Sequence, residues 1–315
     1  MIKRHFLEFE KSLEEISDKI DALEIVSKDN PELRSQIDKL QLEFEDRTKK
    51  IYSNLSRWNK VLISRHPQRP HTSDYIENIF SDFDELHGDR QFGDDPSIIG
   101  GLAKIDDIPV MIIGHEKGKG TEEKVRRNFG MPQPEGYRKA KRLMKMAEQF
   151  EIPVITFVDT SGAYPGIEGE ERGQSEAIAS NLALMSRLNT RIIIVVTGEG
   201  GSGGALALGV GDHVSMLEHA IYSVASPEAC ASIVWRSSDK AEEAAEAMKL
   251  TAQDLIKLNI IDEIIKEPTG GAHTDYKTIS QHVKHSLISN IENLNKIPLE
   301  RLLERRYSRL TEVGK

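Results

Sequence analysis

Pro153-Val154-Ile155-Thr156-Phe157-Val158 runs straight into Asp159-Thr160-Ser161-Gly162-Ala163-Tyr164-Pro165-Gly166. Past the proline, an unbroken run of apolar and β-branched residues suits a strand buried on both faces, and the Ser, Gly and Pro that follow end it in a turn. The pattern then returns: Arg191-Ile192-Ile193-Ile194-Val195-Val196 leads, through Thr197, into Gly198-Glu199-Gly200-Gly201-Ser202-Gly203-Gly204-Ala205. Helical spacing over about 171–187 separates the two runs, and a further helix starts near Ser202. Strand, helix, strand, helix in that order is βαβ logic. Right-handed crossovers then give an α/β fold around a mostly parallel sheet.

Working outward, a helix over about 135–150 precedes the first run. Ile98–Ile105 and Ile108–Ile113, around Asp106-Asp107, read as paired strands. Thr72 and Ser73 are positioned to cap a helix over about 74–85. Arg65, His66, Arg69 and two prolines give 65–72 the composition of a linker, which divides the chain into residues 1–64 and 65–315. In the first part Phe6, Phe9, Leu13, Ile16, Ile20 and Leu23 keep a heptad spacing that predicts an amphipathic helix over 2–28. Asn30-Pro31 breaks it, and Leu33, Ile37, Leu40, Phe44, Ile51, Trp58 and Leu62 resume helical spacing. An antiparallel helical hairpin, used for packing or oligomerisation, is the expected result. Toward the C-terminus 241–250 and 252–258 look helical, 260–265 strand-like, and about 274–309 helical again.

Acidic residues outnumber basic ones 51 to 42, a net charge of −9 that argues against indiscriminate nucleic-acid binding. A single cysteine, Cys230, excludes an internal disulfide and a cysteine-rich zinc site, and reads as a small buried apolar group in a reducing compartment. Charge begins at Lys3, and no stretch approaches the ~20 apolar residues a membrane helix needs. A cytoplasmic protein with no membrane association is expected.

The two glycine-rich turns are the chemical feature. In an open α/β sheet ligands bind beyond the carboxyl ends of the strands, where helix N-termini offer unpaired backbone N–H groups. Glycine lets a ligand approach those groups and permits positive φ, and the turn that holds Gly204 is expected to combine unusual backbone angles with close approach of a ligand. Such donors can stabilise an oxyanion. The competing interpretation is that the glycines serve only tight helix–sheet packing. Gly200-Gly201-Ser202-Gly203-Gly204 also matches the G-x-S-x-G of a serine hydrolase, with Asp212 or Asp254 and then His273 or His282 in hydrolase order. A phosphate loop at Gly114–Gly120 is excluded, because its glycine spacing is one residue short and Lys119 precedes Gly120 rather than Ser or Thr. From Lys117 to Lys145 ten basic residues face three acidic ones, and glycines and prolines punctuate 117–136. This segment is expected to be a long mobile loop that guides an anionic ligand or partner, or else a solvated charged face. His87-Gly88-Asp89-Arg90 and Phe92-Gly93-Asp94-Asp95 read as polar turns rather than a metal site.

Glu85-Leu86-His87-Gly88-Asp89-Arg90, Ile99-Gly100-Gly101-Leu102-Ala103, Asn128-Phe129-Gly130-Met131 and the two glycine-rich turns together resemble the alpha subunits of bacterial-type acetyl-CoA carboxylase carboxyltransferase. The resemblance spans essentially the whole chain. It implies a crotonase-like (ClpP/crotonase) fold with a parallel sheet and flanking helices, plus the N-terminal helical hairpin. The activity implied is transfer of a carboxyl group from N-carboxybiotin, borne on a biotin carboxyl carrier protein, to acetyl-CoA, giving malonyl-CoA for fatty-acid synthesis. Implied partners are a carboxyltransferase beta subunit in an α2β2 heterotetramer and biotin carboxylase in the larger complex. No cofactor is implied for this chain, and zinc is implied only for the beta subunit. On the family's pattern the backbone N–H groups of Gly203 and Gly204 form the oxyanion hole, and Ser161, Gly162, Ala163, Gly201 and Ser202 shape the carboxybiotin pocket.

Overall fold

The computed structural model describes residues 4–26 and 30–313. Its centre is one sheet of eight strands: β1 (Ser81–Glu85), β2 (Ile98–Ile105), β3 (Ile108–His115), β4 (Val154–Thr160), β5 (Ile192–Gly201), β6 (His213–Leu217), β7 (Ile221–Ser223) and β8 (Glu263–Ile265). The order is β1-β2-β3-β4-β5-β6-β8, with β7 pairing β5. β1, β2 and β3 are antiparallel, and from β3 through β8 every pairing is parallel. The expected β2–β3 pair, turning at Asp106-Asp107, is present. Every residue of β4 and β5 is buried, as their unalternating composition requires.

One irregularity in the sheet builds the rim where the turns lie. Val158 pairs with Val196, but the next pair is Thr160 with Gly200, so β5 holds three residues where β4 holds one. The excess bends β5 away from β6 and lets Glu199, Gly200 and Gly201 pair with Ile221, Tyr222 and Ser223 of β7. Asp159 fills the bend: its Oδ1 accepts the Glu199 N–H at 2.9 Å. A Cβ on Gly198 would collide with the Asp159 carboxylate, so only glycine fits there.

Several boundaries differ from the sequence reading. The helix expected over 74–85 spans Thr72–Ile79 and gives way to β1. It is capped by His71, whose N–H donates to the Asp74 carboxylate, rather than by Thr72 or Ser73. The N-terminal helix runs Lys11–Val26 after a short 3-10 turn at Glu8–Glu10; its expected ends at 2–3 and 27–28 lie outside the described residues. The next helix was expected to run unbroken to Leu62, but it stops at Tyr52 and a separate one begins at Arg57, capped by Ser56. Helices Lys11–Val26 and Pro31–Tyr52 form the hairpin, closed by the Tyr52 hydroxyl donating to Glu10 at 2.8 Å. Arg57–Ser64 instead packs into the main body, where Val61 clusters with Ile221, Ala245 and Leu250. At the C-terminus, Pro298 splits the expected helix into Tyr276–Asn295 and Leu299–Glu312. Cys230 is half-buried on the helix Pro227–Trp235, not a core residue.

Candidate functional site

β3, β4 and β5 run in the same direction, so their carboxyl ends share one rim, and the two glycine-rich turns meet there back to back. A Cβ on Gly204 would stand 2.6 Å from both the Ala163 nitrogen and the Gly162 carbonyl carbon. A Cβ on Gly201 would run into the Ser161 carbonyl and come within 2.9 Å of the Thr160 oxygen. Glycine at 201 and 204 is therefore what lets the turns touch through their main chains. The turn has the unusual angles expected of it, but not at Gly204, whose φ is not positive and whose close neighbour is the other turn. The left-handed residue is Ser202, at φ 50. Gly203, by contrast, is open, with only Ile178 side-chain carbons at 3.7 and 3.8 Å from a built Cβ.

Ser202, Gly203 and Gly204 are the first three residues of the helix Ser202–Leu206. Their N–H groups have no partner one helical turn earlier, which leaves them available as donors. Ser202 and Gly203 line one end of an apolar cleft of about 270 Å³, whose walls are Leu206, Tyr222, Val224, Leu255 and Ile260. The other turn is braced from behind. Thr160 Oγ1 donates to the Gly162 carbonyl at 2.8 Å, the Tyr164 N–H reaches the Pro132 carbonyl at 3.0 Å, and Gln174 Nε2 joins the carbonyls of Pro132 and Tyr164 at 2.8 and 2.9 Å. Ser161 is exposed, and Gly162 and Ala163 are half-buried. Each expected pocket residue thus lies at this junction.

Beneath it sits a cluster of charge that sequence reasoning did not single out. Lys117 Nζ lies 2.7 Å from Asp159 Oδ1 and 2.9 Å from Glu199 Oε2. Arg65 Nε meets the other Glu199 oxygen at 2.6 Å and continues to Glu228 at 2.5 Å. His71 Nδ1 faces Asp159 Oδ2 at 3.3 Å. Burial alone would raise the Asp159 carboxyl, but the Lys117 charge and the contacts from His71 outweigh it and hold the group well below the usual range. Burial likewise works against Glu199, and Lys117 and Arg65 reverse it, so this carboxyl is also lowered. Burial would lower the Lys117 amine, while the two carboxylates hold it above its ordinary value. All three groups are charged at neutral pH. Lys117 follows β3, so the rule that ligand sites form beyond parallel strand ends was the signal that could have found it.

The basic segment is not the long irregular loop expected. It contains the helix Gly120–Arg126 and a 3-10 turn at Asn128–Gly130, and much of its charge is consumed internally. Besides Lys117, Lys119 pairs with Asp74, Arg138 with Asp89 at 2.8 Å and Lys139 with Asp94 at 2.6 Å. Around His87 and Asp94 the polar turns expected are found: Asp89 Oδ1 accepts the N–H groups of Gln91, Phe92 and Gly93. Among the described residues no group of three or more His, Cys, Asp or Glu is placed to hold a metal ion.

The hydrolase reading fails on geometry. Ser202 has the left-handed backbone of a nucleophile elbow, but its would-be partners are engaged elsewhere. Asp212 forms a buried pair with Arg306 at 2.6 Å, and Asp254 is held by Arg57 at 2.7 Å. His273 stacks on His66 with ring centroids 3.7 Å apart, and His282 Nδ1 lies 2.8 Å from the Lys266 carbonyl. None of them provides a general base for Ser202.

The chain resembles known proteins along nearly its whole length. The family described as acetyl co-enzyme A carboxylase carboxyltransferase-like matches residues 6–314. The acetyl-coenzyme A carboxylase carboxyl transferase subunit alpha of Photobacterium profundum is 56% identical over 314 residues, covering 98% of each chain. Its counterpart from Geobacter metallireducens is 54% identical over 315 residues, covering 100% of this chain and 99% of the other. Among solved structures, transcarboxylase 12S superposes with a TM-score of 0.60 at 20% identity, over 73% of this chain and 42% of that one, so the chain spans less than half its length. A Pseudomonas malonate decarboxylase hetero-tetramer in complex with coenzyme A gives 0.57 at 17% identity, over 69% and 86%. At such identities these structures speak for the fold alone, and it is the crotonase-like α/β fold. With a family match over nearly the whole length and relatives above half identity, the chain belongs to the acetyl-CoA carboxylase carboxyltransferase family.

Proposed function

We propose that this chain carries the biotin half of the carboxyl transfer and that the backbone N–H groups of Gly203 and Gly204 form its oxyanion site. Members of the family are carboxyltransferases of acetyl-CoA carboxylase, and this chain is such an enzyme component, acting in the transfer of a carboxyl group to acetyl-CoA. In the proposed step the bond between the ureido nitrogen and the carboxyl carbon of N-carboxybiotin breaks. The carboxyl group leaves as CO2 and the electron pair stays on the ureido group, so negative charge develops on its oxygen. The ureido nitrogen then takes a proton from the α-carbon of acetyl-CoA, and that carbon bonds to the CO2 to give malonyl-CoA. Two preorganised N–H donors aimed at the ureido oxygen stabilise the charge without a nucleophile. The observation carrying the reading is the junction itself: two turns in main-chain contact, with Ser202 and Gly203, the first residues of a helix, at the mouth of an apolar cleft and Gly204 buried directly behind them. Ser161, Gly162, Ala163, Gly201 and Ser202 then shape the pocket around the biotin ring.

The wider assembly follows as part of the same proposal. The acetyl-CoA side belongs to a carboxyltransferase beta subunit that bears the zinc, in an α2β2 heterotetramer. The biotin arrives on its carrier protein, and biotin carboxylase completes the complex. Val224, beside the cleft, and Ile233 and Val234, on the helix after it, are exposed apolar residues that suit a protein neighbour. The helical hairpin of Lys11–Val26 and Pro31–Tyr52, rather than the whole of residues 1–64, serves packing between subunits. No helix among the described residues is long and apolar enough to cross a membrane, and we place the complex in the cytoplasm. The test is reconstitution. Purified chain alone should form negligible malonyl-CoA, and activity should return when the beta subunit is added. Full turnover by the lone chain would refute the two-chain reading.

A further inference from the structure

Lys117 sits where the two turns diverge. Its amine bridges Asp159, which opens one turn, and Glu199, which opens the other. The two carboxylates are also linked through the main chain, because Asp159 Oδ1 accepts the Glu199 N–H. The lysine stem is held too: a Cβ on Gly130 would stand 2.6 Å from Lys117 Cγ, so the Asn128–Gly130 turn lies directly on it. That turn is itself unusual, with left-handed φ at Asn128, Phe129 and Gly130 of 47, 55 and 74°. Glycine adopts such angles freely, but Asn128 and Phe129 do not, and two successive non-glycine residues held there store backbone strain. Lys117 is 15% exposed. Among the described residues, Lys117 alone has side-chain contacts that reach both of these carboxylates.

We propose that Lys117 is a positioning residue: by clamping Asp159 to Glu199 it fixes the separation of the two turns and hence the alignment of the Gly203 and Gly204 donors. This rests on the proposed role of those N–H groups. The lysine touches no reacting atom, and its action passes through the two carboxylates to the residues that follow them. A purely structural ion pair would need only balanced charge. A clamp needs the ammonium itself, since of the two carboxylates Arg65 reaches Glu199 and not Asp159, and His71 reaches Asp159 and not Glu199.

The two roles separate in a pair of variants. Lys117→Met leaves two buried carboxylates short of a partner and should lower both thermal stability and turnover. Lys117→Met/Glu199→Gln removes one positive and one negative charge together and should recover part of the lost stability, Asp159 keeping only His71 as a charged side-chain partner. Both are measured as complexes assembled with the beta subunit, using free biotin in the malonyl-CoA decarboxylating direction. For the charge-matched double variant the clamp predicts a kcat still lowered about 10²-fold, the scale on which ~1 Å of misalignment acts. KM for malonyl-CoA, bound on the partner's side, should change less than about twofold. If kcat recovers along with stability, Lys117 is structural and the proposal is overturned. Gly204→Ala, run in parallel, separates the two ideas. Normal turnover in the Lys117 variants with impaired Gly204→Ala removes the clamp and leaves the donors standing. Normal turnover in all variants removes both.

Discussion

Replacing Gly204 with alanine puts one carbon at the tightest point between the two turns. It would stand 2.6 Å from the Ala163 nitrogen, 2.6 Å from the Gly162 carbonyl carbon and 3.0 Å from Gly162 Cα. Unbonded heavy atoms settle at roughly 3.5–4.0 Å, so the turns must part by about 1 Å. Every obstructing atom is main chain, and no rotamer change can clear it. Overpacking of this kind costs about 1–3 kcal/mol. Replacing a helical glycine returns roughly 0.5–1 kcal/mol of backbone entropy. The variant should therefore unfold a few degrees below wild type, while kcat of the assembled complex falls on the order of 10²-fold as the donors are displaced. Gly203→Ala is the control, because its new carbon meets only Ile178 at 3.7 and 3.8 Å, and it should unfold no earlier than wild type. The measurements are thermal unfolding, assembly with the beta subunit, and turnover per assembled complex with free biotin. Wild-type unfolding of Gly204→Ala would disprove the contact between turns. Early unfolding with wild-type turnover would disprove the donor assignment.

Arg69 and Glu267 form a fully buried pair at 2.6 Å, and Glu267→Gln should destabilise the chain by about 3–5 kcal/mol because it strands the arginine charge. Burial alone would raise the Glu267 carboxyl, but Arg69 and His219 bring it down to about 2. Its contribution is present above the ordinary pKa of glutamate and is lost as pH falls from about 4.5 toward 2. Acid unfolding followed by circular dichroism should show a shallower pH dependence in that window for the variant, and an equal slope would contradict the assignment. Deleting residues 1–52 keeps the helix Arg57–Ser64 and its Val61 contacts, so the remaining body should fold while its complex dissociates more readily. Sedimentation at decreasing concentration tests this, and an unchanged assembly would leave the arm without its proposed role.

The centre of the molecule was readable because burial on both faces leaves a plain mark on composition. β4 and β5 are runs of apolar and β-branched residues, and the glycines that follow are conspicuous. β1 was invisible for the opposite reason: Ser81-Asp82-Phe83-Asp84-Glu85 is a charged edge strand, interrupted at Asp82, whose φ is 53°. β6 and β7 are five and three residues long, too short for a period to show. The helix Pro227–Trp235 hid because Ile233 and Val234 stay exposed, so its apolar residues do not trace one face. At the candidate site, the glycine-rich turns could be found by reading along the chain, but the charges beside them could not. Lys117 looked like one member of a basic stretch, and its partners are distant in sequence, Glu199 by 82 residues. The reason for glycine at 204 was also out of reach, since it depends on which backbone lies opposite.

That opposite backbone bears on how such a site can change over time. Where two main chains touch, the surface is made of atoms every amino acid shares, and substitution has little to edit. At 201 and 204 any larger residue collides with the facing turn. A compound that binds by hydrogen bonds to these N–H groups would therefore meet a target with few routes to resistance. Escape would have to come from the walls of the cleft, such as Leu206, Val224 or Ile260, where a changed side chain can exclude an inhibitor while the turns keep their shape.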